Sequence, residues 1–555
     1  MGNMIKRNSQ LKSALGAMAP KERVVEAMSI PKEDTVNRQG YKAYSLSDEL
    51  RLITMLNTLK LQTQFYRSEN DTMRELRDLI ERIAVNDPYF VCQAIVYSRC
   101  MGEGMKTINH LAAALVAPFI SGQEFAKRFY GLFDKKKGGG GCIKRPDDMS
   151  EIKDAYASLN KAPLSNAMKK GFAKALETMD AYQLSKYPRN TINIANLVRP
   201  HSKRSKAVVE INGKEMKVID ALMRGFTVSP DTWESINSEA GQIVAQAVRD
   251  GKIDRYEADD ILANAKTQNW ADLLNAGRLG ILAAFRNIRS IMKNPTKEVI
   301  DALCKLLTNE KAIKDGLILP SHFDVAYTVL MNEFPTADYS ADVQKALIEG
   351  YSKSIPNLAL AMPGKTCIFL DVSGSMGNRG YSDGKTASTK HYGYYLSKDK
   401  DTCIYKAGLI AATVAKATGA DVYLFGDYAR QITYNKNLNV FALADHFGTP
   451  YNECTYLGKA FDLIRSNRRM YDRIIILSDN EINSATLTSL SYKNYIHDVC
   501  SPYVYVVDLA AYGTVPVAGD KVSFFYGYGA TLYNDMVKNE FNPSYHIDKI
   551  RKIVI

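Results

Sequence analysis

Near Thr366 the hydrophobic pattern of this chain changes period. Beyond that point short apolar runs, at 367–372, 422–425, 474–477 and 504–507, alternate with helical stretches such as 405–417 and 457–464. Apolar strands separated by helices build a parallel, doubly wound sheet, whose ligand sites lie at the carboxyl ends of the strands. Before it, from about Ser47 to Pro356, the period is helical. Leu50, Leu52, Ile53, Leu56 and Leu59 recur on one face, then Leu76, Leu79, Ile80 and Ile83, then Val91, Ile95 and Val96, with polar turns such as Asn86-Asp87-Pro88 between them. The pattern runs on through 110–133, 164–184, 217–224, 239–250, 256–265, 270–292 and 297–308 with no convincing alternating strand series. It predicts stacked helix pairs of the HEAT kind.

Two segments interrupt the helices. Lys135 to Gly141 reads as a flexible basic loop, and 189–206 carries Arg189, Arg199, Lys203, Arg204 and Lys206 around Pro188 and Pro200. The expected plan is a basic N-terminal arm over 1–35, an α-helical repeat domain over 36–362 and an α/β domain over 363–555, with the seam at Pro363-Gly364. A chain of 555 residues exceeds one hydrophobic core, which agrees with two domains.

Composition narrows the class. Hydrophobic residues at 46% and charged residues at 24% describe an ordinary globular protein. Of the net charge of +12, nine units lie before residue 361, a surplus that favours polyanions such as RNA. The eight cysteines are dispersed with no Cys-x-x-Cys pair, which suits reduced thiols in a cytoplasm. The first residues lack an apolar signal core, and no apolar run reaches the ~18 residues of a membrane span, so a cytoplasmic protein is expected.

Chemistry concentrates after the first strand of the α/β domain. Asp371, Ser373 and Ser375 leave the carboxyl edge of the sheet, Thr455 precedes the helix near Leu457, and Asp479 follows the strand 474–477. Three loops thus deliver hard oxygen donors to one edge, the donor type that magnesium needs. The competing explanation is local: Asp and Ser are favoured at helix caps and turns. This constellation resembles von Willebrand factor A domains, whose metal-ion-dependent adhesion site combines an Asp-x-Ser-x-Ser loop with a Thr and an Asp from two later loops. The resemblance implies that Asp371, Ser373, Ser375, Thr455 and Asp479 hold a divalent metal, Mg2+. The Gly-, Tyr-, Ser- and Lys-rich insertion at 378–402 departs from the compact family form, with Tyr392, Tyr394 and Tyr395 as candidates for partner contact.

An A domain behind a basic helical array resembles the Ro autoantigen family, whose helical ring is the TROVE domain, in a bacterial or phage member. The stretches that carry the resemblance are Thr63-Gln64-Phe65-Tyr66, Asn86-Asp87-Pro88, Tyr97-Ser98-Arg99, Gly104-Met105-Lys106, Lys169-Lys170-Gly171-Phe172, Lys186-Tyr187, Pro230-Asp231-Thr232-Trp233-Glu234, Trp270-Ala271-Asp272-Leu273-Leu274 and Phe285-Arg286-Asn287-Ile288. It implies a monomeric ring that takes single-stranded 3′ ends of misfolded RNA in its hole and small Y-like noncoding RNA on its outer surface. It also implies phosphate contacts from Lys169, Lys170, Lys174, Lys186, Arg189 and His201. A charge run can equally be a solvated helix face. Asn193, where the family commonly has a His, departs from the pattern. Trp233 and Trp270 are either core residues or base-stacking platforms.

Two other functions compete with RNA capture and the tethering of an exoribonuclease. One is an adhesion module that recruits an acidic partner residue through the metal and binds no RNA. The other is a phosphoryl-transfer enzyme, disfavoured because two-metal chemistry wants paired carboxylates and a positioned base where this site offers mostly hydroxyls. No catalytic residue is expected.

Overall fold

The computed structural model describes residues 31–59, 66–102, 104–160, 162–211, 213–226, 252–316, 320–355, 364–377, 402–449, 453–527 and 545–555, with isolated positions between them. Residues 1–30 of the expected arm, Thr63 to Phe65, the stretch with Trp233, half of 239–250, and Tyr392, Tyr394 and Tyr395 of the 378–402 insertion lie outside the described residues.

Helices run from Asp48–Thr58 to Ser340–Lys353. Polar residues set their starts. Ser68 with Asp71, Asp180 with Gln183 and Asp254 with Glu257 form reciprocal capping boxes on Glu69–Ala84, Ala181–Lys186 and Arg255–Asn275. Asp87 caps Pro88–Val96 and puts the proline in the first turn, where no N–H is needed. The same device corrects the reading of 189–206 as an interruption: Pro188 opens the helix Pro188–Val198, which ends at Arg199 with φ 51°. Trp270, 1% exposed, is a core residue and no stacking platform.

Beyond the short antiparallel pairing of Thr35–Val36 with Lys42–Ser45, two hairpins among the described residues depart from the all-helical expectation. Phe133–Asp134 pairs antiparallel with Gly139–Gly140, so the loop read as flexible is the tip of a hairpin. Gly140 N–H donates to the Val554 carbonyl at 2.8 Å, and a Cβ on Gly139 would meet that oxygen at 2.3 Å. Val208–Ile211 and Lys214–Lys217 form the second hairpin around Gly213, φ 74°. Neither of its strands holds a fully buried position, so no hydrophobic alternation marks it.

The α/β domain has one six-stranded sheet. Its strands are β1 (Thr366–Asp371), β2 (Asp421–Phe425), β3 (Ala429–Ile432), β4 (Arg473–Ser478), β5 (Tyr503–Asp508) and β6 (Val522–Tyr526), in the order β6-β5-β4-β1-β2-β3. Neighbours are parallel except β2 and β3. The antiparallel β3 corrects the all-parallel expectation; the three residues between it and β2 are too few for a helical crossover. β1 and β4 are buried at every position, as central parallel strands require. With period two, Cys367, Phe369, Ile474 and Ile476 pack on Phe461, Tyr492 and Tyr495, whereas Ile368, Leu370, Ile475 and Leu477 face the helices Cys403–Thr418 and Val440–Phe447.

Both ends of the helical series dock on this domain. At the late end Tyr351 Oη lies 2.6 Å from Thr413 Oγ1, and the Tyr327 ring packs on Phe441 with centroids 4.7 Å apart. At the early end Lys42–Ser45 pairs with Thr514–Val515, and Arg67 donates to the carbonyls of Ala510 and Ala511 at 3.0 and 2.9 Å. The C-terminal segment returns to the first helices, where Ile550, Ile553 and Ile555 join their core and Gln93 Nε2 donates to the Arg551 and Ile553 carbonyls. The helical array is thereby closed into a ring across the α/β domain.

Candidate metal centre and basic surface

The strand order reverses direction between β1 and β4, which makes their carboxyl ends the switch point of the sheet. Asp371 ends β1. Its Oδ1 accepts the Ser373 N–H at 2.9 Å and its Oδ2 accepts the Ser478 hydroxyl. Ser375 lies on the single turn Gly374–Gly377, and its hydroxyl oxygen is 3.2 Å from that of Ser373. The loop does open a helical turn, as the capping alternative has it, and the two hydroxyls converge as well.

Backbone bonds bring the second and third loops alongside. Gly374 N–H donates to the Glu453 carbonyl at 3.2 Å, Thr455 N–H donates to Asn483 Oδ1, and Asn483 N–H donates back to the Thr455 carbonyl at 3.0 Å. Asp371, Ser373, Ser375, Thr455 and Asp479 are between 0% and 7% exposed, so all five predicted residues gather at one buried edge.

The acids there repel one another. Burial first, and then the charge of Asp479, pushes the Asp371 carboxyl well above the usual carboxylate range, against the bonds from Ser478 and Ser373 that favour the anion. Asp479 is also pushed up by burial, against the Ser375 hydroxyl beside it. Its Oδ2, and both polar atoms of the neighbouring Asn480 side chain, are buried without a hydrogen bond of ordinary geometry.

Sequence reasoning missed two further acids of this edge. Asp508 ends β5 and accepts the N–H groups of Ala510 and Ala511 at 2.9 and 2.7 Å; burial pushes it up to about 7. Glu481 is pushed up to about 8 by burial and by Asp479. The strand-end rule that picks out Asp371 and Asp479 would have found Asp508. Crowded buried carboxylates, converging hydroxyls and an orphaned oxygen fit a hard divalent cation. Among the described residues no three His, Cys, Asp or Glu side chains are set to hold a metal, so an ion at this edge depends on hydroxyls.

The predicted RNA contacts lie at exposed or half-buried positions of the helical part. Lys170 and Lys174 are exposed and Lys169 half-buried on the helix Asn166–Thr178, which packs on Pro188–Val198. Arg189 and His201 are exposed, and the His201 N–H donates to Glu177 Oε1 at 2.9 Å, tying the segment after the second helix to the first. Lys186 is half-buried, with its ammonium 2.8 Å from the Tyr182 hydroxyl. Arg199, Lys203, Arg204 and Lys206 extend the same exposed band. Between residues 165 and 206 nine Lys and Arg stand against two acids, and one of the two, Glu177, is buried.

No protein-family model matches the sequence, and no curated protein matches it. Among solved structures the chain is similar to the RO (RSR) protein of Deinococcus radiodurans, with a TM-score of 0.52 and 16% identity over 89% of this chain and 100% of that one. The architecture derived above, a helical ring followed by a von Willebrand A-like domain, is the fold this chain shares with that bacterial Ro protein.

Proposed function

We propose that this chain is a non-enzymatic RNA-binding protein. Its helical ring takes small noncoding RNA on the band formed by Lys169, Lys170, Lys174, Lys186, Arg189 and His201, and single-stranded 3′ ends of misfolded RNA in its hole. The observation that carries the reading is the mostly exposed basic band of residues 165–206, nine cations against two acids. Such a band neutralises phosphates and releases counterions without reading sequence. The fold shared with a Ro protein supports the same reading.

The edge formed by Asp371, Ser373, Ser375, Thr455 and Asp479 would hold Mg2+, which would supply an electron-poor centre for an incoming carboxylate or phosphate. With direct donors that are mainly hydroxyls, it suits the docking of a protein partner such as an exoribonuclease. The crowding of buried acids around that edge also favours a second reading, a metal-dependent adhesion module without RNA.

Binding of a labelled duplex with a single-stranded 3′ tail, against the same duplex blunt, separates the two readings. The expected result is tail-dependent, salt-sensitive binding. Replacing Lys169, Lys170 and Lys186 together by Ala lowers the slope of log K against log salt by about 2, at ~0.7 per lost phosphate contact to a single strand. Equal binding of both duplexes sinks the capture of 3′ ends and leaves only the band; binding of neither sinks RNA capture in favour of adhesion.

A further inference from the structure

One wall of the candidate metal centre comes from outside the α/β domain. Gln39, between the strands Thr35–Val36 and Lys42–Ser45, donates from Nε2 to the Tyr66 hydroxyl at 2.5 Å. Its Oε1 accepts from Asn483 Nδ2 at 2.9 Å, and Asn483 Oδ1 in turn holds the Thr455 N–H. Tyr66 precedes the helix Glu69–Ala84. Its backbone N–H donates to the Tyr512 hydroxyl at 3.5 Å, and the two rings meet edge-on with centroids 5.7 Å apart. Burial above all, and then the charge of Asp479, pushes the pKa of the Tyr66 phenol up to about 12. Nearby, Arg38 N–H donates to Glu481 Oε2 at 2.8 Å and Arg67 to the carbonyls of Ala510 and Ala511.

A ligand on a loop held by outer hydrogen bonds presents its oxygen to the ion at no further cost in order. We propose that Tyr66 is a positioning residue of the metal centre: its hydroxyl holds the Gln39 amide, and the Tyr66–Gln39–Asn483 chain so fixed orients the Thr455 loop. Cation binding is then felt in the segment before the first helix and in the helices that follow. This rests on the metal reading above, and it makes the centre a joint product of both halves of the molecule.

The test uses the full chain and Mn2+ as probe. Free Mn2+ is titrated by its electron spin resonance signal in wild type, Tyr66→Phe, Gln39→Ala and Asp371→Ala. Amide hydrogen exchange is followed with and without the ion, and metal-free unfolding midpoints report on the fold. Tyr66→Phe should weaken Mn2+ binding about tenfold, the usual size of an outer hydrogen-bond loss. It should also remove the Mn2+-induced protection of residues 35–45, with the metal-free midpoint unchanged. If that midpoint falls, Gln39→Ala, which spares the ring packing, decides by the same two readouts. Equal Mn2+ affinity in wild type and variant, with exchange changes confined to 371–377, 453–455 and 478–483, overturns the positioning role and leaves the metal reading standing. A wild type that binds no Mn2+, or binds it equally after Asp371→Ala, overturns the metal reading and this inference with it.

Discussion

Arg67 carries its charge with a side chain fully removed from solvent. The guanidinium donates to the carbonyls of Ala510 and Ala511 and to Glu75 Oε2 at 3.0 Å, and it lies 5.3 Å from the centroid of the Tyr512 ring, on which Arg38 also rests at 5.2 Å. A planar fork with several fixed donors is what this geometry uses, and an ammonium offers no such fork. Arg67→Ala leaves two buried carbonyls without their donor and Glu75 with Arg38 alone, and should cost about 3–5 kcal/mol, the range for breaking a buried ionic contact. Arg67→Lys should recover only part of that. Urea unfolding midpoints at constant m-value measure both, and a loss under about 1 kcal/mol for Arg67→Ala would show that water replaces the bonds.

Among the elements, the helices Thr107–Leu115 and Pro146–Asn160 are joined by a buried ionic network. Arg99 donates to Asp148 Oδ1 at 2.8 Å; His110 lies 3.2 Å from the same oxygen through Nε2 and 2.7 Å from Glu151 through Nδ1; Lys106 reaches Asp147 and Glu151. Burial works against protonation of His110, but Asp148 and Glu151 outweigh it and raise its pKa. Burial likewise opposes the Asp148 anion, yet His110 and Arg99 hold its carboxyl well below the usual range. His110, above all, holds Glu151 down to about 2. The raised His110 contributes stability that is complete below its unfolded pKa of about 6.5 and fades as pH rises through the folded value. The lowered carboxylates contribute stability that is complete above about 4.5 and fades as pH falls toward their folded values. The network is therefore strongest near pH 5 to 6, roughly between those limits. Urea midpoints should decline from pH 6 to 8 in wild type and decline less in His110→Gln; parallel profiles would remove His110 from the account.

Elements also show what a sequence can and cannot carry. Helices and central strands were legible because their burial is periodic: Leu76, Leu79, Ile80 and Ile83 stripe one helix, and every residue of β1 is buried. The loops bearing Asp371, Thr455 and Asp479 were legible because they follow strands or precede a helix at the sheet edge. The hairpin at 208–217 and the edge strand β3 have no fully buried position to give a period. Gln39 and Tyr66 reach that edge from more than 300 residues earlier in the chain, and no local pattern announces such a contact. The glycines of 138–141 read as flexibility until Val554, which packs against them, is seen.

Taken whole, the molecule has few places to come apart in stages. One hydrophobic core runs without a break from Trp270 and the late helices into Ile368, Leu370 and the helix Cys403–Thr418. A second joins the first helices to Ala511, Tyr526 and the C-terminal isoleucines. Lys135 Nζ also donates to the Asp315 carbonyl at 2.8 Å, linking early and late helices directly. Cores shared across a domain seam couple the unfolding of the parts on either side, whereas a polar seam lets each part melt alone. Ile475→Ala, in the middle of β4, should create a cavity costing about 2–5 kcal/mol. Because its face belongs to the shared core, the loss should appear equally in the protection of amides in Ser340–Lys353 and in β1, measured by native-state hydrogen exchange. Calorimetry should show one main transition, shifted down as a unit in the variant. Two separated transitions, with only the later one moved by Ile475→Ala, would mean that the ring stands without the domain that closes it.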